Sequence, residues 1–285
     1  MGTGVRAAAL SSLLSTAHGL CATPTPSLYR PFFESALSIF DEFDLDLREY
    51  PLDTGLLHRS ATTSPAKAER VELTLLAYGT NELRQARLAL IEGGKSLQVL
   101  NFCIFPRLEY GLPTFAADLV TLPGGHLVAL DWAPNVDTSA DAVYASDSAL
   151  ATCFARHREA LPDGGALPEA AQKYFSPYFL WSRLPAGEES EEAVASSVRA
   201  AFDDYLRSYL QLVASAAPLE SDTALGAVRE AQLSYSRYRA ACDPARPMLT
   251  RLFGEEFAET LIADALFDLD VWIEGEQGKV TAGVR

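Results

Sequence analysis

Five strand-length apolar runs follow one another between residues 71 and 134: VELTLLAYG, LRQARLALIEG, KSLQVLNFCIFPR, PTFAADLVTL and HLVALDWAP. Their connections are short and carry Gly, Pro or Asn, and two read as tight turns, Gly93-Gly94 and Pro123-Gly124-Gly125. A parallel pairing would need a crossover of about a dozen residues or more. The spacing therefore predicts an antiparallel meander. Several runs are apolar at nearly every position, so both faces of the sheet must be covered. Segments with helical period are available to do this. SLYRPFFESALSIFDEF places Leu28, Phe32, Phe33, Leu37 and Phe40 near helical spacing behind a capping Ser27. Further helices are expected over 148–160, 190–216, 222–241 and 254–267, while 51–69 is turn-rich and expected to be irregular. The fold class that follows is α/β, a three-layer α/β/α sandwich with a central antiparallel sheet flanked by helices. One domain is expected over 27–270, with a leader at 1–26 and a tail at 271–285.

Composition removes several function classes. A formal charge of −15 argues against a nucleic-acid binder, since phosphate contacts need clustered Lys and Arg. Cys21, Cys103, Cys153 and Cys242 are scattered, with no CxxC pair to hold zinc or an iron–sulfur cluster. No run approaches the ~20 apolar residues needed to span a bilayer. From Met1 to Phe33 there is no acidic residue, and the stretch is rich in Ala, Ser and Thr. That composition suits an organelle transit peptide, and a disordered leader is the alternative.

GxGxxG after a strand, GxxxxGK[ST] and HExxH are all absent, and the four histidines lie far apart. Carboxylates are therefore the acid–base candidates. In PTFAADLVTL, alternation puts Thr114, Ala116, Asp118 and Val120 on one face. An ionised Asp118 between sheet and helices is costly unless paired. Burial would raise its pKa and make it an acid able to give up a proton near neutrality. A partly wet face, or a neighbouring Arg, is the competing account. Asp243 precedes Pro244 between two helical patterns, where it can be an N-cap followed by proline at N1, a pocket acid, or both. Asn101 is an amide on an apolar strand, able to hold a polar ligand group or to mark an edge or bulge. Arg183 stands among aromatics and can bind a carboxylate beside a flat ring system. Arg237 and Arg239 can do the same or pair with helix acids. His126 follows the hairpin turn, and Tyr235 and Tyr238 are expected to pack.

VLNFCIFPRLEYGLPTFAADLVTLPGGHLVALD, LPDGGALPEAAQKYFSPYFLWSRLP, YSRYRAACDPARPMLTRLFGEEF and ALFDL occur in that order. Together they resemble the ferredoxin-dependent bilin reductases over roughly residues 30 to 269. The resemblance implies an α/β/α sandwich with an open-chain tetrapyrrole between the sheet and the C-terminal helices. It implies no bound cofactor and no metal in the reductase, with electrons arriving singly from reduced [2Fe-2S] ferredoxin. Asp118 matches the family's acid on the central strand, and Asp243 matches its acid in the loop across the substrate. Asn101, Arg183, Ser176, Arg239 and His126 are expected to contact the substrate. Family members that make phycocyanobilin carry His where this chain has Asn101, and plant phytochromobilin synthases tend to carry Asn at the position of Asp118. The blocks look most like members that reduce the A-ring diene of 15,16-dihydrobiliverdin to phycoerythrobilin. Biliverdin is the alternative substrate and a non-catalytic bilin carrier the alternative role. Trp132 is a departure from the pattern that could alter the pocket rim. The partners implied are ferredoxin, the bilin and a preceding bilin reductase, in a chloroplast stroma, with no nucleic acid and no membrane. Ferredoxin is acidic, so a local basic patch is expected, with Arg107, Arg183 and Arg246 as candidates.

Overall fold

The computed structural model describes residues 27–63, 69–135 and 142–274. The expected leader and most of the expected tail lie outside these. The meander forms as the turn spacing requires. Strands β3 (Arg70–Gly79), β4 (Leu83–Glu92), β5 (Gln98–Pro106), β6 (Thr114–Leu122) and β7 (Gly125–Ala133) pair with their sequence neighbours, all antiparallel. The segment expected to be irregular instead contributes a helical turn, Thr54–Leu57, and strand β2 (His58–Thr62) on β3. The two-residue β1 (Arg48–Glu49) also pairs with β3. At the other edge β8 (Leu180–Pro185) pairs with β7 and completes an eight-stranded sheet. At the start of β7, Gly125 has φ +132°, and a Cβ there would lie 2.1 Å from the Leu184 carbonyl oxygen. Only glycine lets β8 approach the hairpin so closely.

Alternation along the strands sorts the side chains into two cores. One face buries Leu88, Leu100, Phe102, Phe115 and Trp132 against α1 (Arg30–Glu42), α2 (Ala149–His157) and α3 (Arg199–Ala214). Phe202 of α3 meets Phe32, Phe102 and Phe115 at ring-centroid distances of 5.4, 5.9 and 6.5 Å. Trp132 belongs here, edge-on to Tyr209 at 5.5 Å. It faces away from the C-terminal helices, so it forms no part of a pocket rim on that side. Ser27 is not the cap of α1: Tyr29 holds that position without a side-chain capping bond. The Ser27 hydroxyl, two residues earlier, accepts from the Arg30 N–H at 3.1 Å, whereas Ser148 caps α2 by accepting from the Ala151 N–H. The helix before α3 continues into it through a π-turn over Val194–Val198.

The other face meets α4 (Asp222–Ala241), α5 (Arg246–Phe253) and α6 (Glu255–Thr260), which runs into a π-turn over Leu261–Leu266. A register shift between Leu83 and Gln85 turns two polar side chains of β4 toward this layer. Arg84 pairs with Asp268 at 2.7 Å, and Gln85 donates to the Ala265 carbonyl at 3.1 Å. After a break at Phe267 and Asp268, helical backbone resumes over 269–274, where Trp272 lies against the Arg84 guanidinium at 5.7 Å.

Candidate active site

On the face toward α4 and α5 the sheet carries Ala89, Ala116, Ala129 and Ala133, where the opposite face carries Phe102, Phe115 and Trp132. The small side chains leave a cavity of about 370 Å³, lined mainly by apolar groups, within the size range of small-molecule sites. Its floor holds Asn101, Asp118 and Asp131 from β5, β6 and β7. Its roof holds Tyr235 and Arg239 from α4, then Asp243 and Met248. The side wall is a stack of Phe175, Phe179 and Trp181, with centroid separations of 4.1 and 6.0 Å.

Asn101 and Asp118 are direct cross-strand partners. Asn101 donates through Nδ2 to Asp118 Oδ1 at 3.2 Å, while its own Oδ1 accepts from Arg87 Nη1 at 2.7 Å. Arg87 is fully buried on the same strand face, so this cation sets which end of the Asn101 amide meets Asp118. Burial raises the Asp118 pKa above the ordinary carboxylate value, and the Asp243 charge adds to the rise. The Arg239 and Arg87 cations and the Asn101 hydrogen bond oppose it. The result is a half-buried acid that resists ionisation yet retains groups able to stabilise its anion.

Asp243 reaches the cavity from the loop after α4. It is not an N-cap with proline at N1, because α5 begins three residues later, with Ala245 at its cap and Pro247 in its first turn. The Asp243 side chain instead closes an Asx turn, with Oδ1 accepting the Ala245 N–H at 2.7 Å. A turn that short leaves a half-buried carboxylate facing the cavity opposite Asp118.

The other expected site residues divide. Arg239 lines the cavity. Arg183 pairs in register with Leu127 on the cavity face but is exposed at the rim, its guanidinium over Trp181 at 5.2 Å. Ser176 stands behind the wall, its N–H donating to Asp131 Oδ2 at 2.9 Å and its hydroxyl donating to Asp131 Oδ1. His126 does not reach the cavity: it lies on the opposite face, sharing a 2.9 Å hydrogen bond with Thr121. Arg237 is at the surface, paired with Asp270, and Tyr238 stacks on Tyr174 at 4.4 Å. Of the other two arginines considered for a basic patch, Arg246 pairs with Glu259 and Arg107 donates to the Thr80 carbonyl at 3.2 Å.

Two site residues escaped the sequence reading, Arg87 and Asp131. Both carried the signal that singles out Asp118, a charged residue within an apolar strand and in phase with the cavity face. Asp131 is 2% exposed, and burial pushes its pKa up to about 7 against hydrogen bonds from Ser176 and the Trp132 backbone. Among the described residues no group of three or more His, Cys, Asp or Glu side chains is arranged to hold a metal ion, and no helix is long and apolar enough to cross a membrane.

This geometry can bind an apolar, extended ligand with polar edges and deliver protons to it from two sides. Comparison with known proteins points to one such chemistry. The chain is 45% identical over 247 residues to a phycoerythrobilin:ferredoxin oxidoreductase of Nostoc punctiforme, covering 86% of this chain and 94% of that one. It is 44% identical to one from Gloeobacter violaceus, covering 86% and 96%. Among solved structures, tomato phytochromobilin synthase in complex with biliverdin superposes with a TM-score of 0.74 at 26% identity, covering 85% of this chain and 83% of that one. Residues 36–268 match the family model described as ferredoxin-dependent bilin reductase. With relatives matched over nearly their whole length and that model spanning both the sheet and the C-terminal helices, the chain belongs to the ferredoxin-dependent bilin reductases.

Proposed function

We propose that the chain reduces the A-ring diene of 15,16-dihydrobiliverdin to phycoerythrobilin, with Asp118 and Asp243 as proton donors. The observation that carries this reading is the pair of acids facing one apolar cavity from opposite sides, one on the sheet and one on a loop. The reduction adds two electrons and two protons. A [2Fe-2S] ferredoxin delivers one electron at a time, so a bilin radical separates the two transfers. Asp118, with its raised pKa, keeps its proton until the reduced bilin becomes basic enough to take it. Asn101 and Arg239 then stabilise the carboxylate left behind. The apolar walls exclude water and protect the radical from side reactions. Arg183 at the rim, and Arg239 within, are the cations available to the bilin propionates.

The substrate step is tested by anaerobic incubation with reduced ferredoxin, supplying 15,16-dihydrobiliverdin and biliverdin in parallel and separating products by HPLC. Phycoerythrobilin from the first and little conversion of the second is the expected result. Phytochromobilin, phycourobilin or dihydrobiliverdin from biliverdin would overturn the substrate assignment. A spectral shift on binding with no product from either would make the chain a bilin carrier. Dihydrobiliverdin is itself a reductase product, so this reading includes substrate supply from a preceding bilin reductase. It also includes plastid residence, supported by the acid-free stretch from Met1 to Phe33.

The aromatic wall gives a separate prediction. A Cβ on Gly164 would lie 2.3 Å from the Trp181 indole, which is held by its stack on Phe179. Overpacking of this kind costs about 1–3 kcal/mol. Gly164→Ala is expected to push the indole into the cavity and raise the bilin Kd about tenfold. Absorbance titration measures this, and unchanged affinity would mean that Trp181 does not contact the ligand.

A further inference from the structure

Behind the Phe175–Phe179–Trp181 wall lies a second cavity, of about 450 Å³, whose lining includes Arg158, Asp163, Gln172 and Ser176. Arg158, Asp163 and Gln172 are exposed, so water reaches this cavity from outside. Asp131 lines the first cavity and Ser176 lines the second, and the two side chains are hydrogen-bonded to each other. The hydrogen bonds of Ser176 also have a direction. Its hydroxyl donates to Asp131 and accepts from the Tyr178 N–H at 3.1 Å. A hydroxyl has one proton and two acceptor sites, so one acceptor site remains for a water of the second cavity.

We infer that Asp131 and Ser176 form a proton-uptake relay, carrying protons from water in the second cavity to the substrate in the first. The inference rests on the reading that the first cavity holds a bilin. In the step, the Asp131 O–H bond breaks as a bond from that proton to the reduced bilin forms. Asp131 then takes the Ser176 hydroxyl proton while Ser176 takes one from a water molecule, leaving hydroxide to equilibrate with solvent. One proton moves inward for each cycle of the relay, and no electron moves with it.

The relay accounts for a group the two-acid reading leaves unused. Asp131 pairs with Ala116, one diagonal step from Asp118 on the neighbouring strand, a separation of roughly 7–8 Å between backbones. Its titratable and charged surroundings are few. Asp118 faces it from β6, Tyr235, Arg239 and Asp243 from the roof, and Tyr205 from α3; Arg158 and Asp163 lie in the second cavity. No cation is within ion-pairing distance of its carboxylate among the described residues. Burial therefore dominates and keeps the proton on Asp131 up to about pH 7.

The test is single-turnover reduction of 15,16-dihydrobiliverdin by reduced ferredoxin, followed optically at pH values on both sides of 7. Bilin affinity and melting midpoints are measured on the same samples. Wild type should slow as pH rises through about 7, where Asp131 loses its resident proton. Asp131→Asn, whose amide can keep both contacts with Ser176, should bind bilin normally, turn over on the order of 10²-fold more slowly and lack that limb. Ser176→Ala should slow the reaction and move the limb to higher pH, because the Ser176 hydrogen bond lowers the Asp131 pKa. Ser176→Thr should restore both rate and limb. An Asp131→Asn profile superimposable on wild type overturns the relay. So does loss of binding and of melting midpoint together with the profile unchanged, which assigns Asp131 to holding the wall in place. A wild-type chain that reduces no bilin overturns the functional reading itself, a result distinct from either.

Discussion

An Asp118→Asn variant binds bilin with wild-type affinity and stalls after the first electron, with the radical accumulating in place of product. Asparagine is isosteric and its Oδ1 still accepts the Asn101 hydrogen bond, so the floor of the cavity keeps its shape. What is lost is the transferable proton. General-acid groups contribute on the order of 10²–10⁴-fold, and the decay of the radical should slow by a factor in that range. Electron paramagnetic resonance and stopped-flow absorbance measure this directly. Turnover within a factor of a few of wild type would remove Asp118 from the proton path and leave Asp243 or Asp131 to supply both protons.

Stability should move the other way in the same variant, which separates chemistry from folding. The folded-state pKa of Asp118 lies above its unfolded value, so ionisation is harder in the fold than out of it. Such a group costs nothing when pH is below the unfolded value. Its cost grows as pH rises from there to the raised value, and persists above. At neutral pH the wild type carries that cost and the asparagine variant does not. The variant is therefore expected to melt no lower than wild type at pH 7, and the gap should shrink as pH is lowered. A variant that is slow and also melts early would mean that the Arg239 charge has been left unpaired, a structural defect.

Much of this architecture is legible in the sequence. The meander was legible because five apolar runs were joined by turn residues, and helix 222–241 because its apolar residues recur with helical period. Strand β8 was not legible. It pairs with β7 across a long connection, so no hairpin turn announces it, and its six residues sit among aromatics that suit many environments. β2 was hidden because HRSAT is polar and largely exposed, stabilised by pairing at an edge. Parity along the strand put Asp118 on a face, and the same parity shows that Trp132, next to Asp131, must look the other way. Parity fails where the strand bulges, and the inward turn of both Arg84 and Gln85 could not be foreseen. The cavity itself depends on four alanines from three strands meeting by register, a coincidence that no single segment displays. The acids could be nominated from local pattern, but only the family resemblance led to the expectation that two of them share one cavity, which both line.

The largest effect on stability is expected from Asp268→Ala. Asp268 holds the C-terminal segment to the sheet through Arg84, with side-chain exposures of 4% and 1%, and Tyr50 donates to the same carboxylate. Arg84 also lies over Phe105 at 5.2 Å, sealed from water; Nη1 alone donates, to Asp268 and to the Tyr50 hydroxyl, while Nε and Nη2 have no hydrogen-bond partner. Removing the acid leaves a buried guanidinium without its counter-ion. Breaking a buried pair from one side costs about 3–5 kcal/mol. The urea midpoint should fall accordingly. Arg237→Ala removes the exposed partner of Asp270 on the same layer and should leave the midpoint almost unchanged, since water and salt screen that pair. Arg84→Met combined with Asp268→Leu removes both charges and should recover most of the loss, because desolvation offsets much of what a buried pair contributes. Leu261 and Leu266, from the segment leading to Asp268, line the cavity proposed to hold the bilin. The single variant should therefore also bind bilin more weakly than the double variant. Equal midpoints for Asp268→Ala and Arg237→Ala would show that the buried pair does not hold this layer in place, and the cavity roof would then need another anchor.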